Sequence, residues 1–222
     1  MTRALLEIIA LDALDAAAAE AGGADRLELV ADMRADGLTP SVATVAAIRA
    51  ATTLPLRVML RSRAGFETDE RDLTELAAVA GQLIDAGADG FVLGFLTGTG
   101  EIDAAATTRL AGALQGRPWT FHRAIDHAVG ADAWDVVCGL PGLDAVLTAG
   151  SPDGLGAGLD GLLGRDPALI LAGGGLTPAH VPVLREHGVR AFHVGSAARG
   201  DGGWAVGVSA ERVAEWRAVV SG

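Results

Sequence analysis

Residues 23–29, Gly23-Ala24-Asp25-Arg26-Leu27-Glu28-Leu29, join a helix stop to a short strand whose two faces differ in chemistry. Glycine just past a helix end adopts the left-handed conformation without steric cost, so Gly23 marks the stop. In the strand that follows, side chains alternate with period 2, so Leu27 and Leu29 share one face and Arg26 and Glu28 the other. A parallel strand is normally apolar on both faces, because helices cover one and the barrel interior the other. The leucines suit the helix-covered face. The charged residues then point toward a barrel axis, either as functional groups or as a buried ion pair.

The same pattern recurs on both sides of this stretch. Gly87-Ala88-Asp89 repeats the triplet Gly23-Ala24-Asp25, and His187-Gly188-Val189 makes a third helix exit. Strands are expected at 5–9, 25–30, 56–61, 90–94, 119–122, 145–148, 168–172 and 191–195. Between them run Ala-, Leu- and Val-rich stretches with a period near 3.6, such as 42–51 and 72–86. The glycines of 151–164 predict a shortened or irregular sixth helix. Eight strand–helix units in 222 residues predict one (β/α)8 barrel domain over 1–222, with a doubly wound open sheet as the alternative.

Composition narrows the function. The chain carries 17 basic and 28 acidic residues, for a net charge of −11. Such a chain repels nucleic-acid phosphate. Every basic residue is arginine, so a Schiff-base mechanism has no amine to use. One cysteine, Cys138, cannot form an internal disulfide. No apolar run approaches the ~18 residues of a membrane span, and Met1-Thr2-Arg3 runs into Glu7 too soon for a signal peptide. A cytoplasmic protein with no membrane and no nucleic-acid partner is expected.

Polar residues interrupt five strands on their inward face: Glu7, Arg26 with Glu28, Arg61, His122 and His193. Burying an unpaired charge costs several kcal/mol or more, so such groups compensate one another or bind something. Only a closed sheet brings these strands together, and strand ends are where barrels build their sites. Two glycine turns add to the case. Gly173-Gly174-Gly175 follows the seventh strand and Gly195-Ser196 the eighth, where barrels frequently bind phosphate. The first turn also precedes a helix expected to start near Thr177-Pro178.

Two chemistries fit. In one, a small anionic metabolite is held by Arg61, Arg63 and Arg123, with Thr148 and the 173–175 turn completing the anion site. Glu7 or Glu28 serves as general base, and His122 exchanges a proton or orients the substrate. An isomerase, epimerase or lyase needs only these groups. In the other, Glu7, Glu28, His122 and His193 hold a divalent metal such as Cu(II) or Zn(II). A third reading is an interaction protein, with residues 201–208 and Trp204 as a lid or partner contact. His127, His180 and His187 are expected at the surface, Trp134 and Trp216 in helix packing.

Several of these motifs resemble the CutC family, associated with copper homeostasis. The matching pieces are Leu6-Glu7-Ile8, residues 23–29, Gly37-Leu38-Thr39-Pro40-Ser41, Arg61-Ser62-Arg63, Thr120-Phe121-His122-Arg123-Ala124-Ile125-Asp126, Val146-Leu147-Thr148-Ala149-Gly150 and Ala172-Gly173-Gly174-Gly175, with His193 in the final strand. The resemblance implies a cytosolic (β/α)8-like barrel, often a homodimer, linked with copper. It adds Asp126 to the candidate catalytic groups, and Arg26 and His193 to the candidate binding groups. Relatives often carry cysteines after the first-strand glutamate and at the end of the second strand. Ile9, Ala10 and Val30 stand there in this chain. Cu(I) prefers sulfur ligands, but Cys138 falls in an expected helix interior, and Met33 and Met59 are scattered along the sequence. A thiolate copper site is therefore not carried over.

Overall fold

Eight parallel strands pair in sequence order and close on themselves. They are β1 (Leu5–Ala10), β2 (Arg26–Leu29), β3 (Leu56–Met59), β4 (Gly90–Leu93), β5 (Trp119–Phe121), β6 (Leu143–Thr148), β7 (Ile170–Ala172) and β8 (Ala191–Val194). Because β1 pairs with both β2 and β8, the sheet is a closed (β/α)8 barrel and not an open doubly wound sheet. The computed structural model describes residues 3–222. Met1 and Thr2, and the signal-peptide reading that rests on them, lie outside the described residues. The helices are α1 (Ala13–Ala21), α2 (Val42–Ala51), α3 (Glu70–Asp85), α4 (Ala104–Gly112), α5 (Ala133–Cys138), α6 (Leu155–Leu162), α7 (His180–Glu186) and α8 (Ala210–Ser221). No helix among the described residues is long and apolar enough to cross a membrane.

Strand alternation sorts the core. Leu6, Ile8, Leu27, Leu29, Val58 and Phe192 face outward into one large cluster with the helices. Each such aliphatic side chain contributes about 1.5–3 kcal/mol on leaving water. The inward faces carry two small apolar patches, Ile9, Val30, Met59 and Val92 on β1 to β4, and Ala145, Leu147 and Leu171 on β6 and β7. Charged and polar residues fill much of the rest of the interior: Glu7, Arg26, Glu28, Arg57, Thr120 and His193 are all buried.

Arg26 pairs with Glu7, its Nε donating to Oε2 at 2.5 Å, and not with Glu28. The two stand opposite each other in the β1–β2 register. Neighbouring strands lie about 4.8 Å apart, whereas same-face residues on one strand are separated by roughly 6.6 Å, so the cross-strand partner wins. Near the N-terminal end of β6, the Arg57 guanidinium forks onto Asp144, with Nη1 3.1 Å from Oδ1.

Caps and glycines explain the boundaries. Asp12, Ser41, Asp69 and Asp103 accept amides in the first turns of α1 to α4. Gly23 and Gly87 follow α1 and α3 at positive φ, as their repeated triplet predicts. In α6 a Cβ on Gly158 would collide with the backbone at Ala149 and Gly150. The glycine-rich sixth helix is thus the price of a close approach to the end of β6. The seventh helix starts at His180, later than Thr177-Pro178 suggested. The Thr177 amide donates to His180 Nδ1 at 3.2 Å, so the histidine ring closes a turn where a threonine cap was expected. Cys138 is the last, half-exposed residue of α5, not a helix-interior one. Trp134 and Trp216 do pack against the core.

Candidate active site

The strands end on one side around a cavity of about 480 Å³. Its lining draws on strands β1, β2, β3, β6 and β8, and on the loops after β2, β3, β5, β6, β7 and β8.

Glu7, Glu28 and His193 meet at the centre. His193 sits in β8 beside β1, and its Nδ1 lies 2.8 Å from Glu7 Oε1. Its Nε2 lies 3.5 Å from Glu28 Oε2. Burial alone would push Glu7 up, but Arg26 and His193 outweigh it and hold the carboxyl at about 2. An ionised carboxylate only accepts, so His193 Nδ1 carries a proton. Glu28 is the opposite case. Burial, with the Glu7 charge beside it, raises it to about 7 against the pull of His193 and Arg26. Burial lowers His193, but the two carboxylates more than offset this and raise it. Glu28 Oε2 and His193 Nε2 thus face each other at 3.5 Å with no hydrogen bond between them, and Glu28 Oε1 is buried without a hydrogen-bond partner. Of the two glutamates, Glu28 lines the cavity and Glu7 lies behind His193.

His122 follows β5. Its Nδ1 accepts the Ala124 amide at 3.2 Å, so the neutral ring carries its proton on Nε2. Burial, with Arg61 nearby, lowers its pKa to about 3. Nε2 is buried and unpartnered, and the ring lines the cavity. Phe66 stacks against His122 with ring centres 5.4 Å apart, and Arg61 lies 5.0 Å over the Phe66 ring. Arg61 is buried. Its Nε and Nη1 donate to the carbonyls of Gly65, Ala35, Asp36 and Gly37, which ties the β2 and β3 loops together. Nη2 has no hydrogen-bond partner among the described residues.

The glycine turn lies where the anion reading needs it. Gly174 and Gly175 line the cavity with Ser196 and Ala197. Among the described residues, the backbone amides of these four make no hydrogen bond. Both glycines have positive φ, and a Cβ on Gly174 would strike the Arg123 guanidinium at 2.6 Å. Arg123 borders the cavity, anchored by Nε to Asp126 at 2.9 Å. Gly173 lies beneath, packed against Leu147 and His193.

Other expected site residues fall elsewhere. Asp126 is enclosed by four donors: Thr148 Oγ1 at 2.6 Å, the Ala149 and Gly150 amides, and Arg123. It organises the loops after β5 and β6 and offers no free oxygen, and Thr148 is spent on it. Arg63 is half-exposed and bridges Asp69 and Asp72, outside the cavity. Arg26 lies below it, against Glu7. His127 is exposed, as expected, but borders the cavity next to Phe66. Met33 and Met59, far apart in sequence, share one apolar patch on its wall.

Sequence reasoning missed three features. Arg57 shares a face with Met59 and Arg61 and was open to the same alternation argument. Phe66 lies in an irregular loop and gave no signal. Arg199 and Asp15 form a buried ion pair. Arg199 also donates to the Ile9 and Val206 carbonyls and lies 4.9 Å over Trp204. This ties residues 199–208 to the barrel mouth and sets Trp204 against Gly195 at the cavity edge.

As a metal centre the cluster fits poorly. One ligand atom each from Glu7, Glu28 and His193 can be found within 4.8 Å of one another. Yet Glu7 already binds Arg26 and His193 with its two oxygens, and Arg26 repels a cation. Glu28 and His193 Nε2 remain, fewer than the three protein ligands usual at a catalytic zinc. His122 is not part of this cluster, no thiolate lines the cavity, and its soft groups are the thioethers of Met33 and Met59 on the apolar patch.

The CutC family model matches residues 4–198, most of the chain. The chain belongs to the CutC family. It is 37% identical over 204 residues to a CutC family protein of Xanthomonas axonopodis pv. citri, covering 88% of this chain and 83% of that one. A Klebsiella pneumoniae CutC family protein is 31% identical over 196 residues, covering 86% and 79%. Among solved structures, one from Streptococcus agalactiae, described as a copper homeostasis protein CutC, superposes with a TM-score of 0.78 at 25% identity, covering 86% of this chain and 98% of that one. Copper homeostasis is named in the description of the Streptococcus agalactiae structure. The glutamates and histidines above are this CutC chain's own central groups.

Proposed function

We propose that this CutC family member binds a small anionic carbonyl compound and moves a proton at the carbon beside the carbonyl, as an isomerase, epimerase or lyase does. One observation carries the reading. Glu28 and His122 open into one cavity, each buried with an unpartnered polar atom, the first titrating near neutrality and the second neutral.

The division of labour follows. Glu28, with a pKa of about 7, is matched to general-base work at neutral pH. His193, held by Glu7, orients Glu28 and buffers its proton. His122 offers Nε2–H to the carbonyl oxygen. A neutral imidazole held that way by a backbone amide is an established electrophile in barrel isomerases. Glu28 takes the proton from carbon, the C–H electron pair forms a carbon–carbon double bond, and the carbonyl oxygen takes the charge or the His122 proton. Returning a proton to the same carbon gives epimerisation; where that carbon carries a hydroxyl, protonating the former carbonyl carbon while the hydroxyl proton passes to the other oxygen gives isomerisation. Arg123 and the amides of Gly174, Gly175, Ser196 and Ala197 hold the anionic end.

No step uses a metal. Cytoplasmic location and a homodimer belong to the same proposal, and light scattering of the purified chain tests the latter. The activity is tested by incubating the protein in D2O with a panel of small phosphorylated or carboxylated ketones and aldehydes. Deuterium entry beside the carbonyl that Glu28→Gln abolishes supports the reading. A panel with no exchange above the uncatalysed rate, or exchange that survives Glu28→Gln intact, overturns it.

A further inference from the structure

The cavity has two chemically different sides. From β5 round to β8 it offers Arg123 and the backbone amides of Gly174, Gly175, Ser196 and Ala197. From β1 to β3 it offers an apolar patch of Ile9, Val30, Met33 and Met59, bordered by Glu28, Asp36 and Arg61. Around the closed barrel, β5 to β7, with Arg123, Gly174 and Gly175 at their ends, stand opposite β1 to β3, while Ser196 and Ala197 follow β8, which adjoins β1. Two aromatics frame the apolar side, Phe66 from the β3 loop and Trp204 from the segment held by Arg199. His193, on β8, lies between the two, 3.5 Å from Glu28 of β2.

We infer that the ligand is amphiphilic, a phosphate or carboxylate at one end and an apolar aryl or branched-alkyl arm at the other, rather than a polyhydroxylated sugar phosphate. The apolar wall supplies four aliphatic or thioether side chains and no hydrogen-bonding group of its own. The polar groups that border the patch are Asp36, which is exposed, Arg61, whose Nε and Nη1 are taken by loop carbonyls, and Glu28 on β2. A sugar hydroxyl laid against this wall would lose its water and gain no partner. An apolar arm loses nothing there, and thioethers adapt to its shape. The volume of about 480 Å³ lies within the range of pockets that enclose a whole small ligand, about 300–1,000 Å³. The unpartnered His122 Nε2 and Glu28 Oε1 then meet the middle of the ligand, between its ends.

This inference rests on the cavity being the anion-binding site proposed above, and calorimetry separates the two. Three probes are titrated into the intact protein: inorganic phosphate, glycerol phosphate and phenyl phosphate. The expected order places phenyl phosphate about tenfold or more tighter than the other two, as burial of a ring's apolar area implies. That advantage shrinks in Met33→Ser, a half-buried position whose change leaves the barrel core intact, and inorganic phosphate affinity stays unchanged there. Equal affinity for all three, or a preference for glycerol phosphate, overturns the apolar arm and leaves the anion site standing. An advantage for phenyl phosphate that Met33→Ser and Met59→Ser both leave untouched also overturns it. No binding of any probe overturns both readings.

Discussion

His193 Nε2 lies 3.5 Å from Glu28 Oε2, while the same ring's Nδ1 is held by Glu7 at 2.8 Å. Two carboxylates on adjacent strands thus share one imidazole and are driven to opposite protonation behaviour. Glu7, paired with a guanidinium, stays ionised, and Glu28, facing the cavity without a second partner, titrates near neutrality.

Glu28→Gln should trade function for stability. A buried carboxyl whose folded pKa is raised from 4.5 to about 7 favours folding in its protonated form, so wild type loses stability as pH rises through that window. The shift corresponds to something on the order of 3 kcal/mol. Glutamine cannot ionise. Urea unfolding should show the variant more stable than wild type at pH 8, with the gap closing toward pH 4. A variant less stable at both pH values would contradict the placement of Glu28.

Glu7→Gln should do the reverse. Glu7 is depressed from 4.5 to about 2, so its contribution is complete above pH 4.5 and fades as pH falls through about 2. Removing its charge leaves Arg26 buried without a counter-ion, which costs about 3–5 kcal/mol. Chemical denaturation at pH 7 measures the loss. A change under about 1 kcal/mol would mean that the Arg26–Glu7 pair is not buried as described.

His122 should remain neutral across the working range of the protein. With its pKa lowered to about 3 and Nδ1 bonded to the Ala124 amide, nitrogen-15 spectra should show the Nε2–H tautomer from pH 5 to 8 with no titration. His193 should titrate above the free value of 6.5. A midpoint near 6.5 for His122 would remove it as a neutral electrophile.

Gly174→Ala should weaken phosphate binding while leaving the chain folded. The position has a φ of +80°, and the added Cβ meets Arg123. Left-handed backbone costs a non-glycine residue of order 1–3 kcal/mol. Displacing Arg123 disturbs the anion side directly. Calorimetry with inorganic phosphate should show at least about a tenfold loss, with the far-ultraviolet spectrum unchanged. Full retention of phosphate affinity would separate the glycine turn from anion binding.

The barrel was legible in the sequence because its outward faces are written in local alternation. Leu27, Leu29, Val58 and Phe192 pack on helices in their own neighbourhoods, and Gly23 and Gly87 end helices by backbone conformation alone. The inward faces of Glu7, Glu28, Arg61, His122 and His193 followed from the same period of 2. Residue type and side of the strand are local properties, and the sequence alone determined them.

Partners are not local, and only closure of the barrel decided them. Joining β1 to β8 sets Glu7 against His193, 186 residues away, and the β1–β2 register gives Arg26 to Glu7 instead of Glu28. The same closure gathers Met33 and Met59 onto one wall, encloses Asp126 behind Arg123, and pins Trp204 at the cavity through Asp15 and Arg199. A carboxylate's chemistry depends on which charges stand within a few ångströms and how much water remains, and both are set by strands that meet only in three dimensions. Sequence therefore named both glutamates as candidates, and the tertiary structure distinguished the anchored Glu7 from Glu28 at the cavity.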